Sequence, residues 1–372
     1  MIERSKEWFA GQISKIMNLP LGPVFNTINL MDGGATIPFL ARYRKEMTGG
    51  MDEVVLAAVR DNYESLQELE KRRNFILGSM AELEVLTPEL EKEIVAATTL
   101  TELEDIYLPF KPKRRTRATI AREHGLEPLA TLIMKQLPMD PEAKAEEFIN
   151  SDLSVNTVEE ALAGARDIIA EWVSEDKTAR ERMRSVFTRE AVISSRPVKG
   201  KELEGILYQN YYDVHENLLK APSHRILAMF RGEEEGFLRL SIDPEETTPI
   251  ETLKRIFIKS TNAAGQQVMQ AINDSYKRLL KPSIENEMRQ IVKEKADLEA
   301  IRVFTINLRQ LLLAPPLGQM MVLALDPGFR TGCKGVCLDR QGNLLHNETI
   351  YPHPPQSEVG AAVSKIKNLV QS

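Results

Sequence analysis

A dense run of positive charge lies between residues 111 and 117. Five of these seven residues are cations and none is an acid. The cations are Lys111, Lys113, Arg114, Arg115 and Arg117. Pro109 and Pro112 favour an extended backbone, and a helix is predicted to begin near Ala118. Because the first N–H groups of a helix carry partial positive charge, this arrangement predicts a binding site for phosphate.

A structural role would explain the same run without a ligand. The arginines would then pair with acids of the preceding predicted helix, at Glu102, Glu104 and Asp105. A basic run is a weakly specific motif. Phosphate binding and internal ion pairing therefore both stay open from the sequence.

A second group of cations ends a short amphipathic segment at residues 37–45, between two Gly-Gly breaks. Its apolar residues are expected to face inward, with Arg42, Arg44 and Lys45 around its C-terminal end. Two short helices separated by a Gly break are compatible with a helix-turn-helix unit, whose second helix can lie in a DNA groove. A plain helical hairpin is the alternative, because cations also suit the C-terminal end of a helix dipole.

Asp326 is the candidate for metal chemistry. It follows a short apolar run at residues 320–325 and begins an Asp-Pro-Gly sequence. Many phosphoryl-transfer nucleases hold a divalent metal on a carboxylate at the end of a buried strand, but they need further carboxylates from other elements. Asp-Pro-Gly is also an ordinary turn sequence. We therefore expect no metal and no catalysis, with Asp326 as the single candidate ligand.

Composition places the chain among ordinary globular proteins. Hydrophobic residues make up 42% and charged residues 27% of its 372 residues, and the formal net charge is -6. This charge argues against a surface that is basic all over, but it allows a local basic patch. Two cysteines are expected to be reduced. The sequence contains no apolar signal core and no phosphate loop, so it predicts a cytoplasmic protein without membrane contact or cofactor.

The pattern of apolar residues predicts mainly helices. Helical stretches are expected at 51–86, 99–108, 118–136, 157–189 and 263–297, the last with an interruption at Pro282. Strands are predicted at 192–195 and 237–242. Boundaries near 195 and 318 give three predicted domains: a helical domain at 1–195, a central helical region with short strands at 196–318, and a third domain at 319–372.

The third predicted domain contains strand-like runs, a turn and one amphipathic helix that begins near Glu358. These elements bury too little apolar surface to be stable alone. We therefore expect the sequence to be part of a longer protein, with the rest of this domain outside it. For the same reason, residues 320–372 are expected to be the least stable part of the chain.

Four segments in combination resemble the Tex family of bacterial transcription accessory proteins. They are ATIPFLARYRKEMTGG at 35–50, LPFKPKRRTRATIAR at 108–122, SHR at 223–225 with RGE at 231–233, and LDPGFRTG at 325–332. The last segment resembles the start of the YqgF-type, RNase H-like domain found in Tex proteins. The resemblance implies a mainly α, elongated multi-helix scaffold with short strands, followed by an incomplete RNase H-like α/β domain.

The resemblance also implies a non-enzymatic scaffold in transcription that associates with RNA or DNA. Complete family members carry a helix-hairpin-helix module and an RNA-binding OB-fold after the YqgF-type domain, so weak nucleic-acid binding is expected from this chain alone. The predicted contact residues are Arg42, Arg44, Lys45, Lys111, Lys113, Arg114, Arg115, Arg117 and Arg122.

Two other functions stay open. The first is a protein-interaction platform that docks RNA polymerase or another transcription factor, with the basic run serving structural ion pairs. The second is a metal-dependent nuclease that acts through Asp326. The resemblance disfavours the nuclease, because the family's version of this domain is usually regarded as lacking a working site.

Overall fold

Helices dominate the fold, as seen in a computed structural model that describes residues 4–112, 115–316, 318–328 and 332–371. The chain divides into two compact units, one up to Asp297 and one from Leu298 onward. In the described residues, each unit contains one three-stranded antiparallel sheet. The predicted fold class, mainly α with short strands, is confirmed. The predicted domain boundaries near 195 and 318 stay predictions.

The bounds of the elements up to Leu312 are as follows. The N-terminal helices are α1 (Lys6–Met17), α2 (Leu21–Asp32), α3 (Ile37–Tyr43), α4 (Glu53–Glu82), α5 (Pro88–Ala96), α6 (Leu100–Tyr107), α7 (Arg117–Glu123), α8 (Glu127–Lys135) and α9 (Pro141–Glu146). The later helices are α10 (Val158–Glu175), α11 (Lys177–Glu190), α12 (Ser223–Glu234), α13 (Thr247–Phe257), α14 (Ala263–Asp274) and α15 (Lys281–Leu312). The strands are β1 (Val192–Pro197), β2 (Val214–Asn217) and β3 (Leu238–Asp243).

The long helix α4 carries two separate hydrophobic cores along its length. Its N-terminal half packs with α1, α2 and α3 through fully buried residues such as Ile13, Ile28, Leu40 and Leu56. Its C-terminal half packs with α5 and α6 around Ile76. These two cores position the two basic segments found in the sequence, because α3 belongs to the first core and α6 leads directly into residues 111–117.

Local capping signals set several of these boundaries. The side chain of Asp52 accepts from the backbone N–H of Val55 at the start of α4. Thr87 caps α5 in the same way, with Pro88 in the first turn. Such caps satisfy N–H groups that have no partner inside the helix.

The largest core joins the elements from α7 to α15. The sheet in this region has the order β2–β1–β3, with antiparallel pairing on both sides of β1. Ile193 and Ile242 are fully buried on its inner face. The alternate residues of each strand therefore form an outer face, as the two-residue period of a strand requires.

Three predicted helical stretches have different bounds in the structure. The stretch 118–136 is divided into α7 and α8 at Gly125, whose φ of 76° a helix does not allow. The stretch 157–189 is divided at Asp176, whose side chain accepts from the N–H of Ala179 and begins α11. The helical stretch predicted at 263–297 continues to Leu312. Strand β2 and helix α13 were not predicted.

Pro282 lies inside the long helical stretch without ending it. A turn of π-helix, Ser275–Leu280, separates α14 from α15 just before it. Proline has no N–H, and its ring crowds the carbonyl four residues earlier. We attribute the wider turn to this crowding, because a π turn shifts the hydrogen-bond pattern while the helix continues.

The second unit contains the end of α15, the strands β4 (Val322–Asp326), β5 (Cys333–Leu338) and β6 (Leu344–Ile350), and helix α16 (Val359–Gln371). The strands pair antiparallel in the order β4–β5–β6. Cys333, Ile350 and Ala362 form a small core on which Ile366 packs. The strands and the helix predicted here are confirmed. Across the described ranges of both units, none of the helices is both long and apolar enough to span a membrane.

Candidate nucleic-acid interface

Helix α3 presents two aromatic rings to solvent. Leu40 and Ala41 are buried in the first core, so the opposite side of the helix faces outward. Phe39 and Tyr43, one helical turn apart on that side, are 39% and 63% exposed. Their ring centroids lie 5.5 Å apart, with a tilt of 43° between the rings. Large exposed aromatic side chains of this kind can stack with the bases of an unpaired strand.

Three cations lie on or directly after the same helix. The side chains of Arg42, Arg44 and Lys45 are all exposed. The guanidinium carbon of Arg44 lies 5.4 Å from the centroid of the Phe39 ring, within the range of a cation–π contact. We call Phe39, Arg42, Tyr43, Arg44 and Lys45 the α3 surface. It combines aromatic rings, which can stack on bases, with cations, which can contact phosphates.

The turn after α3 is held firmly in place. Thr48 is fully buried, and its hydroxyl donates to the carbonyl oxygen of Arg44 at 3.1 Å. Asn26 on α2 donates to the carbonyl oxygen of Met47 at 3.1 Å. Gly49 has a φ of 65°, and a side chain at this position would begin 2.9 Å from the ring of Pro23. The backbone that carries the cations is therefore anchored to α2.

Glu46 is the acid of this turn, and it is exposed next to the three cations. The five residues from Arg42 to Glu46 therefore carry a formal charge of 3 − 1 = +2. Helices α2 and α3, joined through the Gly33-Gly34 break, pack together on α4. Their use as a helix-turn-helix unit stays a prediction, since α3 has only seven residues.

The second basic segment is partly described. Lys113 and Arg114 lie outside the described residues. Lys111, Arg115 and Arg117 are exposed. Arg115 pairs with Glu123 at 2.8 Å, but both side chains are more than half exposed, so this ion pair adds little stability.

The start of α7 is capped by a side chain of the chain itself, and the phosphate site expected there stays a prediction. The hydroxyl of Thr116 accepts from the backbone N–H of Thr119 at 3.0 Å, which fills the capping position with a side chain of the chain itself. Arg122 donates to Glu171 at 2.7 Å and lies 3.5 Å from Glu127. Arg122 is thus less accessible than the other described cations of this segment.

The acids considered from the sequence as partners for the basic segment have other contacts. The carboxylate of Glu102 accepts from the backbone N–H of Thr98 at 2.6 Å. Glu104 pairs with Arg72, and Asp105 lies between two arginines of α11. For the described cations, ion pairing therefore occurs with different acids, on α7, α8 and α10.

The α3 surface and the basic segment at 111–117 are connected to different points along α4. Ile37 at the start of α3 and Tyr63 of α4 line the same cleft. Tyr107 at the end of α6 meets Phe75 of α4, with 6.4 Å between ring centroids. A helix rises about 1.5 Å per residue, so these two contacts are separated by roughly 20 Å along α4.

Asp326 ends β4 and is exposed, opposite Lys334 of β5. In the described part of the chain, no group of three or more His, Cys, Asp or Glu residues is placed to hold a metal ion. Sequence reasoning identified the cations of the α3 surface but missed Phe39 and Tyr43. Their spacing of four residues, which places both rings on one side of a helix, was the signal that was available.

Three family models match consecutive parts of this chain. One described as a Tex-like protein N-terminal domain matches residues 8–81, one described as Tex central region-like matches 137–304, and one described as a Tex protein YqgF-like domain matches 320–372. The chain belongs to the Tex family. The resemblance seen in its four motifs is therefore confirmed, and the C-terminal sheet and helix lie in the YqgF-like match.

Curated relatives match almost the whole of this chain but only part of their own length. The uncharacterized protein YdcI of Bacillus subtilis is 40% identical over 97% of this chain and 50% of its own length. The transcriptional accessory protein Tex of Neisseria gonorrhoeae is 38% identical over 91% of this chain and 45% of its length. The human S1 RNA-binding domain-containing protein 1 is 27% identical over 93% of this chain and 36% of its own length. This Tex-family chain thus spans at most about half the length of these relatives.

The family matches place the two basic segments differently. The α3 surface lies inside the match to the Tex N-terminal domain, at residues 8–81. The basic segment at 111–117 lies between that match and the central one, which begins at residue 137.

Proposed function

We propose that this chain is a nucleic-acid-binding scaffold of a transcription accessory protein and has no catalytic activity of its own. The α3 surface carries this proposal, because exposed aromatic rings and cations occur together on a firmly anchored helix. The names of two relatives, a transcriptional accessory protein and an S1 RNA-binding domain-containing protein, support the assignment to this class. A cytoplasmic location is part of the same proposal.

The arrangement of α3 favours a single-stranded ligand. Phe39 and Tyr43 project from a short helix, where bases that are not paired can stack on them. Helix recognition of duplex DNA instead depends on polar side chains that reach base edges in the major groove. The cations of the α3 surface would contact the phosphates on either side of the stacked bases. RNA and DNA strands both offer these groups.

Fluorescence anisotropy with labelled single-stranded and duplex oligonucleotides tests this function. Leucine at Phe39 and Tyr43 should weaken single-strand binding by roughly fivefold or more, since stacking on one base is worth about 1–3 kcal/mol. Glutamine at Arg42, Arg44 and Lys45 should lower the salt dependence by about 0.7 in log–log slope for each phosphate that is no longer neutralised.

A charge-matched control separates a local site from an effect of overall charge. Lys92, Arg182 and Arg255 are exposed on α5, α11 and α13, and replacing them with glutamine removes the same number of positive charges. Binding by this control should stay close to that of the wild type. If the leucine and glutamine variants of the α3 surface both bind as the wild type does, the α3 surface is not the binding site. If the wild-type chain binds no oligonucleotide, the proposed function is wrong.

A protein-interaction platform is the second candidate, and a different surface favours it. Leu203, Ile206 and Leu207 lie close together in the chain between β1 and β2, and their side chains are 89%, 60% and 87% exposed. Exposed apolar groups of this kind are typical of protein-binding surfaces. RNA polymerase or another transcription factor would be the partner. Serine at these three positions should abolish capture of purified RNA polymerase and leave oligonucleotide binding unchanged.

A further inference from the structure

The outer face of the β2–β1–β3 sheet carries two arginines in register. Arg196 on β1 lies directly opposite Arg239 on β3, and both side chains are exposed. Opposite residues of an antiparallel pair have Cα atoms about 5 Å apart, so the two guanidinium groups are held within reach of one ligand. Like charges in opposite positions weaken the pairing of two strands. A bound anion would relieve this repulsion.

Hydrogen-bond donors continue along the same face. Ser194 lies opposite Ser241 on one side and opposite His215 on the other, two positions before the arginine pair. The Ser194 hydroxyl is 2.9 Å from Nδ1 of His215. The arginines and serines on β1 and β3 therefore form a continuous polar surface, which we call the β-sheet surface.

The turn after β1 adds further charge beside the arginine pair. Lys199 and Lys201 are exposed there, and Nζ of Lys201 lies 5.9 Å from the ring centroid of Phe237, two residues before Arg239. Exposed acids follow at Glu202 and Glu204.

Acids on the sheet do not neutralise this pair. Asp243 lies at the opposite end of β3, in register with Val192, and pairs with Lys281. Asp213 precedes β2, with its carboxylate 3.6 Å from Nε2 of His215. Within the ranges that the structure describes, neither Arg196 nor Arg239 has an ion pair or a side-chain hydrogen bond. Both guanidinium groups are therefore available to a ligand.

We propose that the β-sheet surface, made of Ser194, Arg196, Arg239 and Ser241, binds the phosphodiester backbone of a nucleic-acid strand. This proposal rests on the proposed function and adds a second contact to it. Guanidinium groups donate paired hydrogen bonds to phosphate oxygens, and serine hydroxyls are also common phosphate donors. This contact would position the strand without reading its bases.

A protein partner suits this surface less well. The outward residues of the three strands are all described, and apart from half-buried Val192 they are polar or charged. Protein–protein interfaces have an apolar centre with few charged residues, which this face does not offer. Phosphate recognition instead needs hydrogen-bond donors, and the guanidinium and hydroxyl groups of the β-sheet surface supply them.

The test uses the whole chain and a labelled single strand of 20 uridines, titrated from 50 to 300 mM NaCl. Arg196→Gln together with Arg239→Gln should lower the log–log salt slope by about 1.4, that is about 0.7 for each of two phosphate contacts. The melting temperature should stay the same or rise, because the repulsion between the two strands is removed. Lysine at both positions should keep most of the salt slope but bind more weakly, since it lacks the guanidinium fork.

The control variant carries glutamine at Arg182 on α11 and Arg255 on α13, which removes two exposed positive charges from helices outside this sheet. An equal loss of binding in this control would show that the lower overall charge weakens binding in both variants, and would overturn the proposal. Unchanged binding by the Arg196/Arg239 variant, together with abolished binding by the α3-surface variant, would overturn this proposal alone and leave the proposed function standing. A fall in melting temperature would show that the two arginines stabilise the fold, and would also overturn it.

Discussion

Arg184 on α11 donates to the carboxylate of Asp105 on α6, with Nη2 at 2.7 Å from Oδ1 and 79 residues between them. Arg180 donates to the same carboxylate at 2.8 Å, and both arginines also reach Glu287 on α15. Burial acts to lower the pKa of Arg184, but hydrogen bonds to Asp105 and Glu287 raise it above the ordinary value. This buried network fixes α6, and hence the start of the basic segment, to the later helices.

Asp105→Asn should therefore destabilise the chain strongly. The carboxylate is 5% exposed and lies between two guanidinium groups that would each lose one of their two charged partners. Removing one member of a buried ion pair costs about 3–5 kcal/mol. Urea unfolding followed by circular dichroism measures the change.

Asp61→Asn is the matched control, because Asp61 pairs with Arg60 on the exposed side of α4, where both side chains are about half exposed or more. Its expected effect on stability is small, because water screens an exposed ion pair. Similar small costs for both variants would mean that water shields the Asp105 network, contrary to this argument.

A second prediction separates the two roles of the basic segment. Glutamine at Lys111, Arg115 and Arg117 should weaken oligonucleotide binding and lower the salt slope, with little change in stability, because all three side chains are exposed. Arg122→Gln should do the opposite. It removes the guanidinium that donates to the buried carboxylate of Glu171 at 2.7 Å and should cost about 1–3 kcal/mol.

Binding assays and urea unfolding on both variants decide between these roles. If the triple variant unfolds more easily and its folded fraction binds as the wild type does, the segment serves structural ion pairing. If Arg122→Gln keeps its stability and loses binding, Arg122 belongs with the phosphate contacts instead.

Local signals explain why much of the fold was predictable. Thr87 and Pro88 form a capping pair that marks the start of α5 from sequence alone, and the structure begins the helix there. The break at Gly125 depends on its positive φ, which a glycine allows but does not require. The helical stretch was therefore predicted correctly, whereas its division into α7 and α8 was not.

Non-local contacts explain why the candidate site was only partly predictable. The cations of the α3 surface stand out as a cluster in the sequence. The partners of Asp105 lie 75 and 79 residues away, so no local pattern indicates them. The Arg196–Arg239 pair depends on the register between two strands, and a shift of one residue would place these side chains on opposite faces.

The third prediction concerns pH. The backbone N–H of Thr98 donates to the carboxylate of Glu102 and holds the pKa of that carboxyl below its ordinary value, against the opposing effect of burial. Because the pKa is lowered in the folded state, the ionised Glu102 carboxylate stabilises the fold at pH values above the pKa of the unfolded state, about 4.3. This stabilisation is lost as the pH falls through the folded pKa.

Glu102→Gln keeps an acceptor for Thr98 but cannot ionise. The wild type should therefore be more stable than the variant by about 0.5–1 kcal/mol at pH 7, and this difference should vanish near pH 3. Urea unfolding at several pH values measures it, with Glu68→Gln on the exposed side of α4 as the control. A difference that persists unchanged at pH 3 would show that the charge of Glu102 is not responsible.

The last prediction is that the chain does not cleave nucleic acids. Two-metal nucleases need several carboxylates to hold ions about 4 Å apart. Asp326 is exposed at the end of β4, and the residue opposite it on β5 is a lysine, not a second acid. Because Mg²⁺ keeps most of its waters unless several oxygens compete for it, a lone carboxylate binds the ion weakly.

Single- and double-stranded RNA and DNA should therefore stay intact when they are incubated with the purified chain and Mg²⁺ or Mn²⁺. The Asp326→Asn variant is the control, because it shows whether any cleavage depends on Asp326. Cleavage by the wild type that disappears in this variant would make Asp326 a metal ligand and overturn the non-catalytic assignment. Cleavage that persists in the variant would come from other residues or from a contaminating nuclease, which a second purification step would remove.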